Sequence, residues 1–471
     1  MIRNVHNITG GPVPSTRPAS VLVGLASAAV MLAAAPVVPA MGATSTTAVA
    51  ARAQAAAEQK KGSPGTLVMI GGALDENAEI LRRIVQEADP DGPGGRKPVI
   101  ALLTAAAAPA ETAAEAADSE ENNAAANGLY YGELFKRLGA MTYAVPIDTT
   151  RNAFPGDAYG PQGADTRAVA RQVRNADAVF LGGGDQTDYV RTLLDCRPAK
   201  DEAYRSCRPT RVLGAVRSVL RGDGVVAGIS AGLTILQGED MVTGGESYEG
   251  WRDGAQRGYF DDPTTLGYLP YGGFGLWKSS LLDSHFGTWG RQARMIRLAA
   301  DTGHRQVIGV DETTALVLDR GSRQGEVIGR NGVSLLQVEG DSASWSYLTR
   351  GDRVDLRGGR ITAAPKSAPL VGSGPAPAPI SDAWDSLAPK NPGTYSLVDL
   401  AVALVRSGGE SATGTTYETD PRFATVLTQD GDTAAWTTGG GTSFTGLQVE
   451  ISGVQRGAPG RRAPRNVRYE A

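Results

Sequence analysis

Ser230 stands in the pentapeptide Gly228-Ile229-Ser230-Ala231-Gly232, directly behind the apolar run Val225-Val226-Ala227. A Gly-x-Ser-x-Gly turn between a strand and a helix forces its serine into a strained, exposed pose, where a neighbouring base can turn the hydroxyl into a nucleophile. The glycines remove Cβ atoms where strand and helix would collide. A helix starting at Ala231 would also aim amide donors and its positive end at a developing oxyanion. The alternative is a purely structural turn of small residues. A base must be a histidine, and the chain has three. His6 belongs to an N-terminal leader, which leaves His285 and His304. His285 follows the strand-like stretch LWKSSLL within Asp283-Ser284-His285-Phe286, whereas His304 reads as a helix-to-strand turn on the surface. His285 is therefore the favoured base, with an imidazole whose ordinary pKa of about 6.5 suits it to accept and return a proton. A third candidate is the pair Asp311-Glu312 in VIGVDETTAL. A carboxylate at a strand end could orient the imidazole in the order Ser, His, acid; a helix cap or turn carboxylate is the other reading.

These groups need a scaffold, and the hydropathy pattern describes one. Short β-branched runs occur at 66–72 (TLVMIGG), 98–106, 141–147, 178–184 (AVFLGGG), 225–230 and 307–319. Between them, 77–88, 130–140, 168–176 and 211–222 carry apolar residues at helical spacing. Near-continuous apolar strands alternating with amphipathic helices predict an α/β fold, a parallel sheet with helices on both faces. Ligands in such folds sit beyond the carboxyl ends of the strands, so the strand ends at Gly71, Gly183 and Gly228 should line one crevice.

Composition bounds the rest. The chain has 471 residues, 41 % of them hydrophobic and 20 % charged, enough apolar surface for a sizeable core. A formal net charge of −4 argues against nucleic acid as a partner. Two cysteines exclude a four-cysteine zinc cluster. Residues 1–43 combine a polar start, an apolar run from Val21 to Val38 and small residues with candidate cleavage after Ala40 or Ala43, the layout of a signal peptide. An uncleaved anchor is the alternative; the short run, broken by Pro36, argues against stable membrane insertion. Cleavage would remove Arg3 and Arg17 and no acid, moving the net charge from −4 to −6. In a secreted protein Cys196 and Cys207 could close a local disulfide; two free thiols are the alternative. Residues 44–64 read as a disordered lead-in, 65–350 as the catalytic domain, 351–380 as a Pro/Ala-rich linker, and 381–471 as an extension of unknown role with a frayed basic end.

Residues from about 65 to 350 resemble the cyanophycinase family, serine peptidases related to aspartyl dipeptidase. The matching pieces are GTLVMIGGALDE, FLGGGDQ, AGISAG, LLDSHF followed by GRQAR, and IGVDETTAL, all in family order, with SYLTRGDRVDL similar to the family's closing strands. The resemblance implies a flavodoxin-like, mostly parallel sheet of the glutamine-amidotransferase type. It implies Ser230 as nucleophile, His285 as base and Glu312 as orienting acid. Ala231, Gly183 and Gly184 would supply oxyanion amides, and Gln186, Asp283, Arg291 and Arg294 would form the substrate pocket. Ser284 stands where cyanophycinases often carry glutamine, and Trp289 where a first pocket arginine is expected. The implied activity is hydrolysis of β-aspartyl bonds in a peptide or polymer substrate, cyanophycin first, without metal or organic cofactor. Other aspartyl, isoaspartyl or ordinary peptides are the alternative, and a non-catalytic binding protein on the same scaffold is a third reading. The sequence leaves the oligomeric state open, a homodimer included.

Overall fold

The computed structural model describes residues 65–454, apart from 75–76, 90, 93, 198–203, 205, 261, 263 and 386–394. The expected signal peptide of 1–43, the lead-in of 44–64 and the basic last dozen residues lie outside the described residues. Among the described residues, two sheets, one of nine strands and one of ten, meet at the site. In chain order the strands used below are β1 (Thr66–Ile70), β2 (Val99–Leu103), β3 (Met141–Ala144), β4 (Ala178–Leu181), β5 (Val225–Ile229), β6 (Leu281–Asp283), β7 (Gln306–Val310), β8 (Thr314–Asp319), β9 (Gln324–Gly329), β10 (Gly332–Glu339), β11 (Ser342–Thr349), β12 (Arg353–Asp355), β13 (Ile361–Thr362), β14 (Ile380–Ser381), β15 (Ser411–Thr415), β16 (Arg422–Thr428) and β17 (Gly441–Val454).

The first sheet has the order β13-β12-β9-β8-β1-β5-β4-β2-β3. Neighbours from β1 through β5, β4 and β2 to β3 run parallel. The arm from β1 through β8, β9 and β12 to β13 is antiparallel. The chain thus has an α/β fold with a C-terminal extension, and its central sheet is mixed, because tight turns rather than helical crossovers connect the strands after β8. Side chains alternate across the sheet as the pleat requires. Val68 and Ile70 of β1 face the helices Ala78–Ala88 and Ala124–Arg137 through Ile80, Ile84 and Phe135. Leu67 and Met69 face the opposite layer, where Val173, Val190 and Val216 come from the helices Arg167–Arg174, Gln186–Leu193 and Arg211–Arg221. Both faces are covered, which is why the strands read as unbroken apolar runs.

The second sheet runs β6-β7-β10-β11-β17-β16-β15-β14. The stretch 307–319 read as one set of strands is divided between the sheets: β7 belongs to the second and β8 to the first, so Asp311, Glu312 and Thr313 cross from one to the other. Strand β17 pairs with β11, which carries the second sheet across the boundary expected at residue 350. The segment 351–380 contains β12, β13 and a short strand, Ala368–Pro369, paired with Ala434–Thr438. Pro/Ala-rich composition alone does not distinguish a chain pinned along a surface from a free tether. The helix Ser396–Arg406 buries Leu397, Leu400, Ala401 and Leu404 in the core of this second half. Among the described residues, no helix is long and apolar enough to cross a membrane.

Cys196 and Cys207 are opposite each other in a two-stranded ribbon, Leu194–Arg197 with Ser206–Pro209, and form a disulfide. Their sequence separation of 11 makes the closed loop short. Breaking it is expected to cost about 2–3 kcal/mol of stability by loop-closure entropy. Chemical denaturation with and without reductant measures this; equal midpoints would show that the loop is held by its packing instead.

Candidate active site

Strands β1, β5 and β4 are direct neighbours, so the turns after Gly71, Gly228 and Gly183 open at one end of the parallel sheet. Ser230 follows β5 with φ 53° and ψ −116°, a conformation that L-residues rarely adopt. Its amide donates to the Ile70 carbonyl at 3.0 Å, and its own carbonyl accepts from the Leu233 and Thr234 amides at 2.9 and 3.1 Å. The flanking glycines are sterically required. A Cβ on Gly228 would fall 2.1 Å from the Gly232 oxygen, and one on Gly232 would fall 2.3 Å from the Leu181 oxygen. The helix behind Ser230 is a single turn, Ala231–Thr234, so its contribution is that of individual oriented amides rather than a macrodipole. Among the described residues, the amides of Ala231, Gly183 and Gly184 have no hydrogen-bond acceptor. Gly183 lies against the serine: a Cβ there would sit 3.5 Å from Ser230 Cβ.

His285 comes from the other sheet. It lies just beyond β6, with φ 48°, and its amide donates to the Gly71 carbonyl at 2.7 Å. The imidazole is stacked so closely on the backbone of Gly72 that a Cβ there would lie 2.2 Å from Cε1. Its Nε2 is 2.7 Å from Ser230 Oγ, and its Nδ1 is 2.7 Å from Glu312 Oε1. The structure therefore brings Ser230, His285 and Glu312 into one hydrogen-bonded chain at the seam between the sheets. His304 lies elsewhere, paired with Asp240 at 2.9 Å.

The adjacent carboxylate Asp311 has a different job. It is fully buried and accepts from the amides of Gly287 and Gly332 at 2.7 and 3.3 Å and from the Tyr347 hydroxyl at 2.7 Å. Burial pushes its pKa up to about 6 despite these donors. Burial likewise depresses the pKa of His285, opposed by its hydrogen bond to Glu312 and reinforced by the nearby Arg291 cation. The imidazole, with 16 % of the side chain exposed, is thus held toward its neutral, proton-accepting form.

The remaining sequence-predicted residues divide by what they touch. Gln186 begins the helix Gln186–Leu193 and donates to the carbonyls of Val242 and Thr243, each at 3.0 Å, tying that loop to the rim of the crevice. Asp283 is 1 % exposed and accepts a two-pronged contact from Arg294, at 2.9 and 2.8 Å. Arg294 also donates to the Gly245 carbonyl. These two residues are committed to each other and to the backbone. Arg291 donates to the Ser284 carbonyl at 2.8 Å and to Asp283 at 3.3 Å, while its Nε is buried with no partner among the described residues. Burial and the neighbouring Arg294 push its pKa down to about 10. Trp289 is sandwiched: its ring stacks on His285 with centroids 4.7 Å apart, and the Arg291 guanidinium lies 4.5 Å from the indole centroid. The sequence reading missed this stack, together with Asn331 and Tyr395, which bear on the turn carrying Glu312. No spacing links residues that far apart in the chain.

No protein-family model matches the chain. It is 25 % identical over 289 residues to a cyanophycinase of Geminocystis herdmanii, covering 61 % of this chain and 84 % of the relative. With a cyanophycinase of Synechococcus elongatus the identity is 25 % over 280 residues, 59 % of this chain and 70 % of the relative. With one from Trichormus variabilis it is 29 % over 173 residues, 36 % of this chain and 49 % of the relative. Among solved structures, a peptidase from an acI-B1 Actinobacterium superposes with a TM-score of 0.42 at 18 % identity, over 63 % of this chain and 99 % of that one. The chain is therefore similar, at low identity, to curated cyanophycinases over about three fifths of its length, which supports a cyanophycinase-like peptidase.

Proposed function

We propose that the protein is an exported serine peptidase that cleaves β-aspartyl bonds, with cyanophycin as the leading substrate. The observation that carries this reading is the unbroken hydrogen-bond chain from Ser230 through His285 to Glu312, beside amides that have no acceptor of their own.

Ser230 Oγ attacks the β-carbonyl of the aspartyl residue as His285 Nε2 takes its proton. Glu312 holds the Nδ1 tautomer and stabilises the imidazolium. The oxyanion accepts from Ala231 and from the Gly183–Gly184 turn, each donor worth about 3–4 kcal/mol in comparable sites. His285 then protonates the leaving amine, and a water activated by the same imidazole releases the acid and restores the serine. A substrate carboxylate would supply the acceptor that Arg291 Nε lacks. For a polymer with arginine on each aspartate side chain, the product is β-aspartyl-arginine. The leader of 1–43 directs export, and the Cys196–Cys207 disulfide is consistent with an oxidising compartment.

Purified protein incubated with insoluble cyanophycin and, separately, with isoaspartyl dipeptides tests the reading. Release of β-aspartyl-arginine is expected; an intact polymer beside cleaved dipeptides would shift the assignment to smaller isoaspartyl peptides. Two observations favour that second reading: Trp289 stands where the resemblance expects a pocket arginine, and Arg294 is tied to Asp283. The pH dependence is also defined. Because burial lowers the His285 pKa, the base stays neutral below the ordinary imidazole value of about 6.5. The rate constant kcat/KM should hold steady down to that region and fall only as pH drops through the depressed value. A profile whose acidic midpoint lies above the ordinary value would contradict His285 as the base.

A further inference from the structure

The C-terminal extension reaches the candidate triad from behind, through Tyr395. Glu312 sits on the crossover between the sheets, next to Thr313 with φ 55°. That turn is pinned by Asn331: its Nδ2 donates to the Glu312 carbonyl at 2.9 Å, and its backbone amide donates at 2.9 Å to Thr314 Oγ1, which itself donates to the Glu312 carbonyl at 3.2 Å. Asn331 Nδ2 also donates to the Tyr395 hydroxyl, again at 2.9 Å. Tyr395 is the residue just before the helix Ser396–Arg406, well outside the segment 65–350.

The same side chain backs the loop of the base. A Cβ on Gly287 would lie 2.8 Å from the Tyr395 ring and 3.0 Å from Val398. Three residues on, a Cβ on Gly290 would fall 1.9 Å from the Trp384 carbonyl oxygen. The loop after His285 is thus clamped between Asp311, which receives the Gly287 amide, and the extension. One residue therefore touches the loop behind the imidazole with its ring and, through Asn331, the turn of the carboxylate with its hydroxyl.

We infer that Tyr395 is a positioning residue, and that the extension serves to hold His285 and Glu312 at hydrogen-bonding distance. This rests on the reading of Ser230, His285 and Glu312 as a triad. Packing alone does not account for the hydroxyl. Leu397, Leu400 and Leu404 anchor the helix by burial, and a phenylalanine at 395 would keep the ring contact with Gly287. What it would lose is the acceptor for Asn331, and with it the coupling to the Glu312 turn.

The experiment compares full-length Tyr395→Phe, Asn331→Ala and the double variant with the parent chain. Thermal unfolding is measured alongside kcat, KM and the downfield proton resonance of the His285 Nδ1–H, which requires no substrate. Tyr395→Phe is expected to lower kcat about tenfold while KM stays within about twofold, since a misplaced general base costs the transition state rather than binding. The His285 resonance should shift or broaden while the unfolding midpoint moves little. Asn331→Ala should cost at least as much, and adding Tyr395→Phe to it should cost nothing further, because the two act through one contact. An unchanged kcat and resonance in Tyr395→Phe, or losses that simply add in the double variant, would overturn the inference. A parent chain that leaves every test peptide intact while its His285 resonance still responds to Tyr395→Phe would defeat the substrate assignment and leave this inference standing.

Discussion

Ser230→Ala is expected to reduce hydrolysis of whichever peptide proves to be the substrate by about ten-thousandfold to a millionfold. Removing the nucleophile from a serine triad disables the whole unit, leaving only what the oxyanion donors and substrate binding provide. The size of the loss is what distinguishes a nucleophile from a serine that merely caps a turn. The fold should survive. The backbone at 230 is held by the Ile70 carbonyl and by the amides of Leu233 and Thr234, none of which involves the hydroxyl. Alanine can occupy the φ 53° conformation at the same cost as serine, because the strain comes from Cβ, which both possess. Matched unfolding curves and a rate assay on the variant settle it. Hydrolysis within tenfold of the parent would remove Ser230 from the mechanism.

Glu312→Gln should lower kcat by about a thousandfold to ten-thousandfold, the scale found when a triad carboxylate is replaced by its amide. The carboxylate does two things at 2.7 Å from Nδ1: it fixes the tautomer that leaves Nε2 free to take the serine proton, and its charge stabilises the imidazolium formed in the transition state. The amide has the same shape but no charge, and its NH2 can present a donor to Nδ1 and favour the wrong tautomer. The sign of the accompanying pH effect follows. Glu312 raises the pKa of His285 against the lowering by burial. Without its charge the pKa falls further, so the acidic limb of the rate profile should move to lower pH even as the plateau drops. A limb that moved upward, or a loss below tenfold, would mean that another group orients the base. Asp311 is poorly placed for that role, since its oxygens are taken by Gly287, Gly332 and Tyr347.

The contrast between those two neighbouring carboxylates shows how far a sequence can be read. Asp311 and Glu312 are adjacent at the end of an apolar run, and nothing in their spacing says which faces the imidazole. The choice is made where the chain leaves β7 for β8. Asp311 turns inward to serve buried amides, and Glu312 turns toward the crevice. The two arginines divide similarly. Arg291 and Arg294 look alike as a row on one helix face, yet Arg294 is wholly taken up by Asp283 and Gly245, while Arg291 keeps an unpartnered Nε beside the indole of Trp289.

The sequence by itself determined the elements that repeat locally: apolar strands ending in glycine, amphipathic helices between them, and a serine between glycines that close backbone packing demands. It also supplied the resemblance to cyanophycinases, because ordered motifs are a property of the chain. Only the tertiary structure decided that His285 and Ser230 arrive from different sheets, that Glu312 rides the crossover between them, and that a tyrosine beyond residue 380 backs both. Local pattern reports the hydrogen bonds and burial a residue needs. Which distant residue meets those needs depends on how two sheets pack, and the chain reaches that arrangement only when the whole core closes.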